Sequence, residues 1–436
     1  MEQQGDRQLI SSFRYKHPQK TKGGRLTRYL LIIACALFVL AVGAFADSGE
    51  KQTNADNSHN LGLKNQTDYE TSIEKLRREQ ELFPLDQKLK RRLADAYAFR
   101  GLQLLKQKQY ALADTTITGA IELYPEESVY AILRGISNYH LKRYDIARYE
   151  LERARPARPD SVELLLFLGL TLYETENRKE AMELLEQALK LSPGRGDITG
   201  LLARARKETN VESGMDSGHS SRFDLTYDPG VTTSFALAIL DVLESAANQV
   251  GAELGHFPEA HVPVAIYKRG DYKTVTDAPD WSGGAYDGKI RVPFGAFKEI
   301  TPPMRAILFH EYAHVLVYDM TRGNCPQWLN EGIAEFFGRR QYARPGQNAA
   351  KAAAVDFRKL EKGFSTLNAK DAANAYEQSH ALVSYMVTAY GWHRLNQTLQ
   401  ALGKGMDIDS AIKSAYGDLG LDYDGIVGGW SEAVVR

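Results

Sequence analysis

Residues 310–314 read His-Glu-Tyr-Ala-His. On a helix, residues four apart share a face with their Cβ atoms roughly 6 Å apart. His310 and His314 can therefore each turn one imidazole nitrogen toward a single Zn2+ at about 2.0–2.1 Å. Glu311, one step round, can reach a water on that metal without being a ligand. The pattern is short, and by itself it also describes two histidines satisfied within an amphipathic helix. The next segment, Gly323-Asn-Cys-Pro-Gln-Trp-Leu-Asn-Glu-Gly-Ile-Ala-Glu335, adds the context. Pro326 suits the first turn of a second helix. Glu331 follows His314 with 16 residues between, enough for the chain to turn back antiparallel and offer a third ligand. Glu335, four residues further, shares that helical face. Metal-bound histidines donate their other N–H to a carboxylate, and Glu335 is the candidate acceptor. Its alternatives are a solvated surface charge, or third ligand in place of Glu331. Asp319 is another carboxylate that could orient a histidine.

The elements that must position these groups can be read around them. Pro302-Pro303 precede the helical run MRAILFHEYAHVLVYDM. Upstream, His261–Tyr267 alternates as a strand does, and Gly283–Tyr286 and Lys289–Val292 flank Asp287-Gly288, a strong hairpin turn. Downstream, Tyr376-Glu377-Gln378-Ser379 opens another helical run that includes His380.

HEYAH followed by WLNEGIAE resembles the gluzincin metallopeptidases, particularly the aminopeptidase N family and the peptidase MA-like proteins. The resemblance covers roughly residues 260–435 and implies His310, His314 and Glu331 as zinc ligands with Glu311 as catalytic base. Tyr376 looks like the tyrosine of that family's Tyr-Glu-Lys-Gly segment, which implies a hydroxyl stabilising the oxyanion. The competing readings are a packed aromatic for Tyr376, and His380 in the same role. The family's Gly-x-Met-Glu-Asn segment, which grips a free amino terminus, is missing. With a strand pair before the zinc helix to which an extended substrate could add, this points to an endopeptidase.

A second pattern occupies 70–208. Gly101, Gly135 and Gly169 are 34 residues apart, as are Ala113, Ala147 and Ala181; Ala120, Ala154 and Ala188; and Pro125, Pro159 and Pro193. Ile117, Leu151 and Leu185 are in the same register. Small residues are needed where antiparallel helices approach closely, and proline ends the second helix of a pair. These columns resemble the tetratricopeptide repeat, which implies a solenoid that binds a partner protein or peptide; the alternative is a spacer or dimerisation element. Residues 70–98 are expected as a degenerate preceding helix or pair, and Asp197–Glu208 as a polar capping helix.

Residues 29–46 form an 18-residue uncharged run, preceded by seven basic residues against Glu2 and Asp6. As a helix it would be about 27 Å long, close to a bilayer's hydrocarbon core. The positive-inside rule puts 1–28 in the cytoplasm and the rest across the membrane. Ala44-Phe45-Ala46 also suits cleavage of a signal peptide.

With 436 residues the chain has room for two or three domains. A net charge of −1 argues against nucleic acid as a partner. Two cysteines exclude a disulfide scaffold or a four-thiolate zinc site.

The expected architecture is multidomain: an all-α tetratricopeptide solenoid, then an α+β zincin-like metallopeptidase domain, with an N-terminal transmembrane helix. Its parts are a basic tail (1–28), a signal-anchor (29–46), a flexible linker (47–69), the repeats (70–208), a Ser/Gly-rich linker (209–222) and the metallopeptidase domain (223–436). The expected function is an exported, membrane-tethered zinc metallopeptidase, with one Zn2+, whose repeats recruit a protein partner or substrate. It would sit in the inner membrane facing the periplasm, or be secreted after cleavage near Ala46. The alternatives are a docking protein with a relic zincin domain and a zinc hydrolase of a non-peptide cell-envelope substrate.

Overall fold

The computed structural model describes residues 66–435, apart from 176, 277–284, 287, 295–298, 343–354, 362 and 365–366. The tail at 1–28, the expected anchor at 29–46 and most of the expected linker at 47–69 lie outside the described residues. Among those described, no helix is long and apolar enough to cross a membrane. The chain divides into two compact units, with the boundary between Arg206 and Lys207.

The first unit is helical. Helix α1 (Gln66–Leu82) is followed by three antiparallel pairs: α2 (Gln87–Lys106) with α3 (Tyr110–Leu123), α4 (Ser128–His140) with α5 (Tyr144–Ala154), and α6 (Val162–Glu174) with α7 (Arg178–Leu191). The 34-residue columns now have a cause. A Cβ on Gly101 would lie 2.3 Å from Ile117 Cγ1, one on Gly135 would lie 2.6 Å from Leu151 Cγ, and one on Gly169 would lie 3.1 Å from Leu185 Cγ. Each glycine thus makes room for the aliphatic side chain 16 residues on, which is itself buried. The alanines of both columns are buried at the same seams. Lys108 and Lys142, 34 apart, take left-handed conformations in the turns within the first two pairs. The degenerate element expected at 70–98 resolves into α1 and the start of α2, the full first helix of the first pair.

Helix α8 (Gly196–Glu212) spans the expected cap and continues beyond it. The second unit, from Lys207, is built on strands β1 (Asp216–His219), β2 (Phe223–Tyr227), β3 (Val262–Lys268), β4 (Ala285–Tyr286) and β5 (Ile290–Phe294). They form one sheet in the order β1-β2-β3-β5-β4. Strands β2, β3 and β5 are parallel to one another, and β1 and β4 run antiparallel at the two edges. Strands β4 and β5 pair with Tyr286 opposite Ile290, and Asp287 of the expected turn between them lies outside the described residues. The crossover from β2 to β3 is α9 (Thr233–Leu254), and α10 (Arg269–Thr276) follows β3. Then come α11 (Pro302–Thr321), α12 (Gln327–Gln341), the single turn α13 (Phe357–Leu360), the long α14 (Ala369–Gly403), α15 (Ile408–Tyr416) and α16 (Tyr423–Val435).

Alternation along the strands sends Phe223, Leu225, Val264, Ile266, Ile290 and Val292 into one core with Ile239 and Leu243 of α9 and Leu308, Phe309 and Tyr312 of α11. The other sheet face carries Tyr267 and the nearly inaccessible Arg291. Arg291 donates to Glu208 at 2.8 Å and Lys289 to Glu212 at 3.1 Å.

This overturns the linker expected at 209–222. That stretch holds the last turn of α8 and strand β1, and Ser220, Ser221 and Arg222 all donate to Glu244. The physical reason is that buried cations require anionic partners. Glu208, at the end of the expected capping helix, and Glu212, in the segment whose composition alone reads as a linker, supply them.

Candidate metal centre

Local sequence starts and stops the two helices that carry the site. Thr301 caps α11 by accepting from the Met304 N–H, Pro302 and Pro303 fill its first turn, and Arg322 ends it in a left-handed conformation. A turn through Gly323 and Pro326 starts α12, which packs antiparallel against α11. Glycine permits the close approach on both sides of α12. A Cβ on Gly338 would lie 3.0 Å from the Ala306 carbonyl of α11 and 3.3 Å from His310 Cβ. A Cβ on Gly332 would lie 2.5 Å from the Ser379 carbonyl of α14.

Within this packing, His310, His314 and Glu331 each offer a ligand atom, all within 4.8 Å of one another. His310 Nε2 lies 3.1 Å from His314 Nε2, and Glu331 Oε2 lies 3.6 Å and 3.5 Å from them. Bonds of about 2.0–2.1 Å at tetrahedral angles place ligand atoms about 3.3–3.4 Å apart. The observed triangle matches one face of such a tetrahedron, so the donor set fits a metal ion with a fourth position open.

The remaining atoms of the ligands are held from behind. His314 Nδ1–H donates to Asn330 Oδ1 at 2.9 Å, which leaves Nε2 as the ligand atom. Gln327 Nε2 donates to Glu331 Oε1 at 2.6 Å and leaves Oε2 facing the histidines. His310 Nδ1 lies 3.5 Å from Glu335 Oε1. Glu335 therefore stands behind a histidine, while Glu331 faces both. Glu335 is bound in turn by Arg339, which also grips both oxygens of Glu377.

Burial alone would lower the His314 pKa, but the Glu331 carboxylate outweighs it and pushes it up to about 9. Burial alone would raise the Glu331 pKa, but His314, His310 and Gln327 together pull it down. The paired shifts mark a site where the Glu331 carboxylate favours positive charge at His314.

Glu311 is buried on α11 next to His310. Tyr376 is half-buried on α14, its ring edge-on to Phe364 with centroids 5.0 Å apart. His380 is neutral, its pKa lowered to about 4 by burial and then by the charge of Arg339, against Glu335 and Glu377. Asp319 does orient a histidine, but it is His256, at 2.6 Å, and not a member of the triad.

Four residues that sequence reasoning gave no role surround the centre: Gln327, Asn330, Arg339 and Glu377. Two left a signal, since Gln327 precedes Glu331 and Glu335 precedes Arg339 by one helical turn. The grip of Arg339 on Glu377 joins separate helices and left none.

Residues 245–436 match the family model described as the Peptidase MA superfamily. The C-terminal unit carries a Peptidase MA superfamily domain. Residues 162–195, the third pair of the helical unit, match the tetratricopeptide repeat. No curated protein matches the chain. The first match supports a peptidase-like enzyme in the C-terminal unit, and the second is to a repeat family associated with protein interaction.

Proposed function

We propose that the chain is a zinc-dependent metallopeptidase of the gluzincin type that cleaves within polypeptides. The observation that carries this is the convergence of His310 Nε2, His314 Nε2 and Glu331 Oε2 at tetrahedral spacing. When bound, zinc supplies Lewis acidity, polarising the scissile carbonyl and lowering the pKa of water from 15.7 toward about 7. The chain does the rest. Glu311 takes the proton from the attacking water and passes it to the leaving nitrogen. The Tyr376 hydroxyl donates to the developing oxyanion. Asn330 and Glu335 hold the imidazoles, and Gln327 aims Glu331.

Internal cleavage is supported by strand β4 at the sheet edge, where Tyr286 packs against Tyr318 of α11. An extended substrate pairing there would run beside the metal helix. The repeats recruit a protein substrate or regulator. The apolar run at 29–46 with its basic leader tethers the chain to the inner membrane, with the enzyme outside the cytoplasm, or is cleaved near Ala46 to release it.

Zinc content and casein cleavage by the purified full chain test this reading. Glu311→Gln should keep one zinc and lose at least about 100-fold in turnover, whereas His314→Ala should lose both. Undiminished cleavage by Glu311→Gln would remove the proposed base. Zinc without proteolysis would point to a docking protein or to a non-peptide substrate.

A further inference from the structure

Arg339 lies outside the ligand triad and is largely buried on α12. Its Nε donates to Glu335 Oε2 at 2.6 Å, and its two Nη groups donate to the two oxygens of Glu377 at 2.8 Å each. The other carboxylate oxygen of Glu335, Oε1, lies 3.5 Å from His310 Nδ1. One planar guanidinium thus ties the residue behind a metal ligand to α14, one position beyond Tyr376. The same two helices are pressed together at Gly332, where the Ser379 carbonyl leaves no room for a Cβ.

We propose that Arg339 is a positioning residue of the metal centre: its fork fixes the rotamer of Glu335 behind His310 and the register of α14 that carries Tyr376. This rests on the metallopeptidase reading above. A guanidinium suits the task because its donors are coplanar and rigid, so that one side chain can serve two carboxylates at once. A lysine ammonium keeps the charge but cannot reproduce the fork. Without any cation, two desolvated carboxylates are left facing the same space. Glu335 then relieves the repulsion by turning away from His310, and the imidazole loses the partner that orients it. A purely structural ion pair would behave differently, because an apolar side chain of similar volume often replaces such a pair without loss of stability. Metal affinity and ligand geometry therefore distinguish the two roles.

The test uses the full-length protein with Arg339→Met, Arg339→Lys and Glu377→Gln. Zinc affinity is measured by chelator competition, ligand geometry by the visible spectrum of the Co2+-substituted protein, and folding by thermal melting. Arg339→Met should weaken zinc binding roughly 10–100-fold and alter the cobalt spectrum. Arg339→Lys should alter the spectrum with a smaller loss of affinity. Glu377→Gln, which spares the contact with Glu335, should stay within about threefold of wild type in affinity and instead lower kcat at unchanged KM. Wild-type affinity and spectrum in both Arg339 variants would overturn the proposal. If Arg339→Met fails to melt cooperatively, Arg339→Lys decides alone by the same two readouts. A wild-type protein that takes up neither zinc nor cobalt overturns the metal reading itself, a failure distinct from normal uptake that the Arg339 variants leave unchanged.

Discussion

In the repeat unit a glycine meets an aliphatic side chain 16 residues further on, and does so three times, at Gly101, Gly135 and Gly169. In the C-terminal unit the comparable approaches occur once each and join distant segments, as Gly332 meets the Ser379 carbonyl. The charges differ in the same way. The repeats distribute ion pairs along the solenoid, such as Arg134 with Glu150 and Asp114. The C-terminal unit gathers His310, His314, Glu331, Glu335, Arg339 and Glu377 at one place. Repetition spreads stability over equivalent seams, and a site concentrates unlike contacts where one misplaced group disturbs the rest.

The largest expected effect that tests this contrast is in the repeats. Leu151→Ala removes a buried side chain from a seam between helices and should cost about 2–5 kcal/mol, read by denaturant unfolding. Zinc stoichiometry should not change, because every ligand belongs to the other unit. A loss of zinc would show that the two kinds of region are not separable.

Gly332→Ala should cost about 1–3 kcal/mol, since its Cβ would meet backbone that cannot rotate away. Here zinc affinity should fall with stability, because α12 carries Glu331. Unchanged affinity would mean that the metal site tolerates movement of α12.

Proton linkage is the next effect. The His314 pKa stands raised from 6.5 to about 9 in the metal-free protein, and a ligand imidazole must be neutral. Zinc binding below pH 9 should therefore release a proton from this group, and affinity should rise with pH until about 9. For stability, the contribution of the raised His314 pKa is complete below pH 6.5 and is lost as pH rises through 9, whereas that of the lowered Glu331 pKa is present above pH 4.5 and is lost on acidification. Calorimetry of zinc binding at pH 7 in buffers of different ionisation heat checks the proton count, and no release would contradict a protonated His314.

The smallest effect is at Gly169. A Cβ there would sit 3.1–3.2 Å from Leu185 and the Ala181 carbonyl. The crowding offsets a helix-propensity gain of about 1 kcal/mol. Gly169→Ala should change stability by less than about 0.5 kcal/mol, whereas a large loss would make that seam as unforgiving as the one at Gly332.

Much of the site was legible because its geometry is local. His310 and His314 stand one turn apart on one helix, and Glu331 follows within the next, so spacing alone brought the three near one another. The resemblance to a known family named Glu331 as third ligand, whereas helical spacing alone left Glu335 open, because both lie on one face of α12 and the crossing of α11 and α12 sets which carboxylate meets Nε2 and which meets Nδ1. Asp319 shows the same limit. It follows His314 on the same helix, yet packing hands it to His256.

The sequence by itself determined the solenoid and the helix-borne histidines, because a 34-residue period and a four-residue spacing are properties of neighbours along one chain. Tertiary contacts decided which carboxylate stands behind His310, that Arg339 joins α12 to α14, and that Asp216–His219 form an edge strand of the sheet. Those contacts pair groups far apart in the chain, and charge, size and periodicity within a window contain no term for a partner that only folding brings within reach.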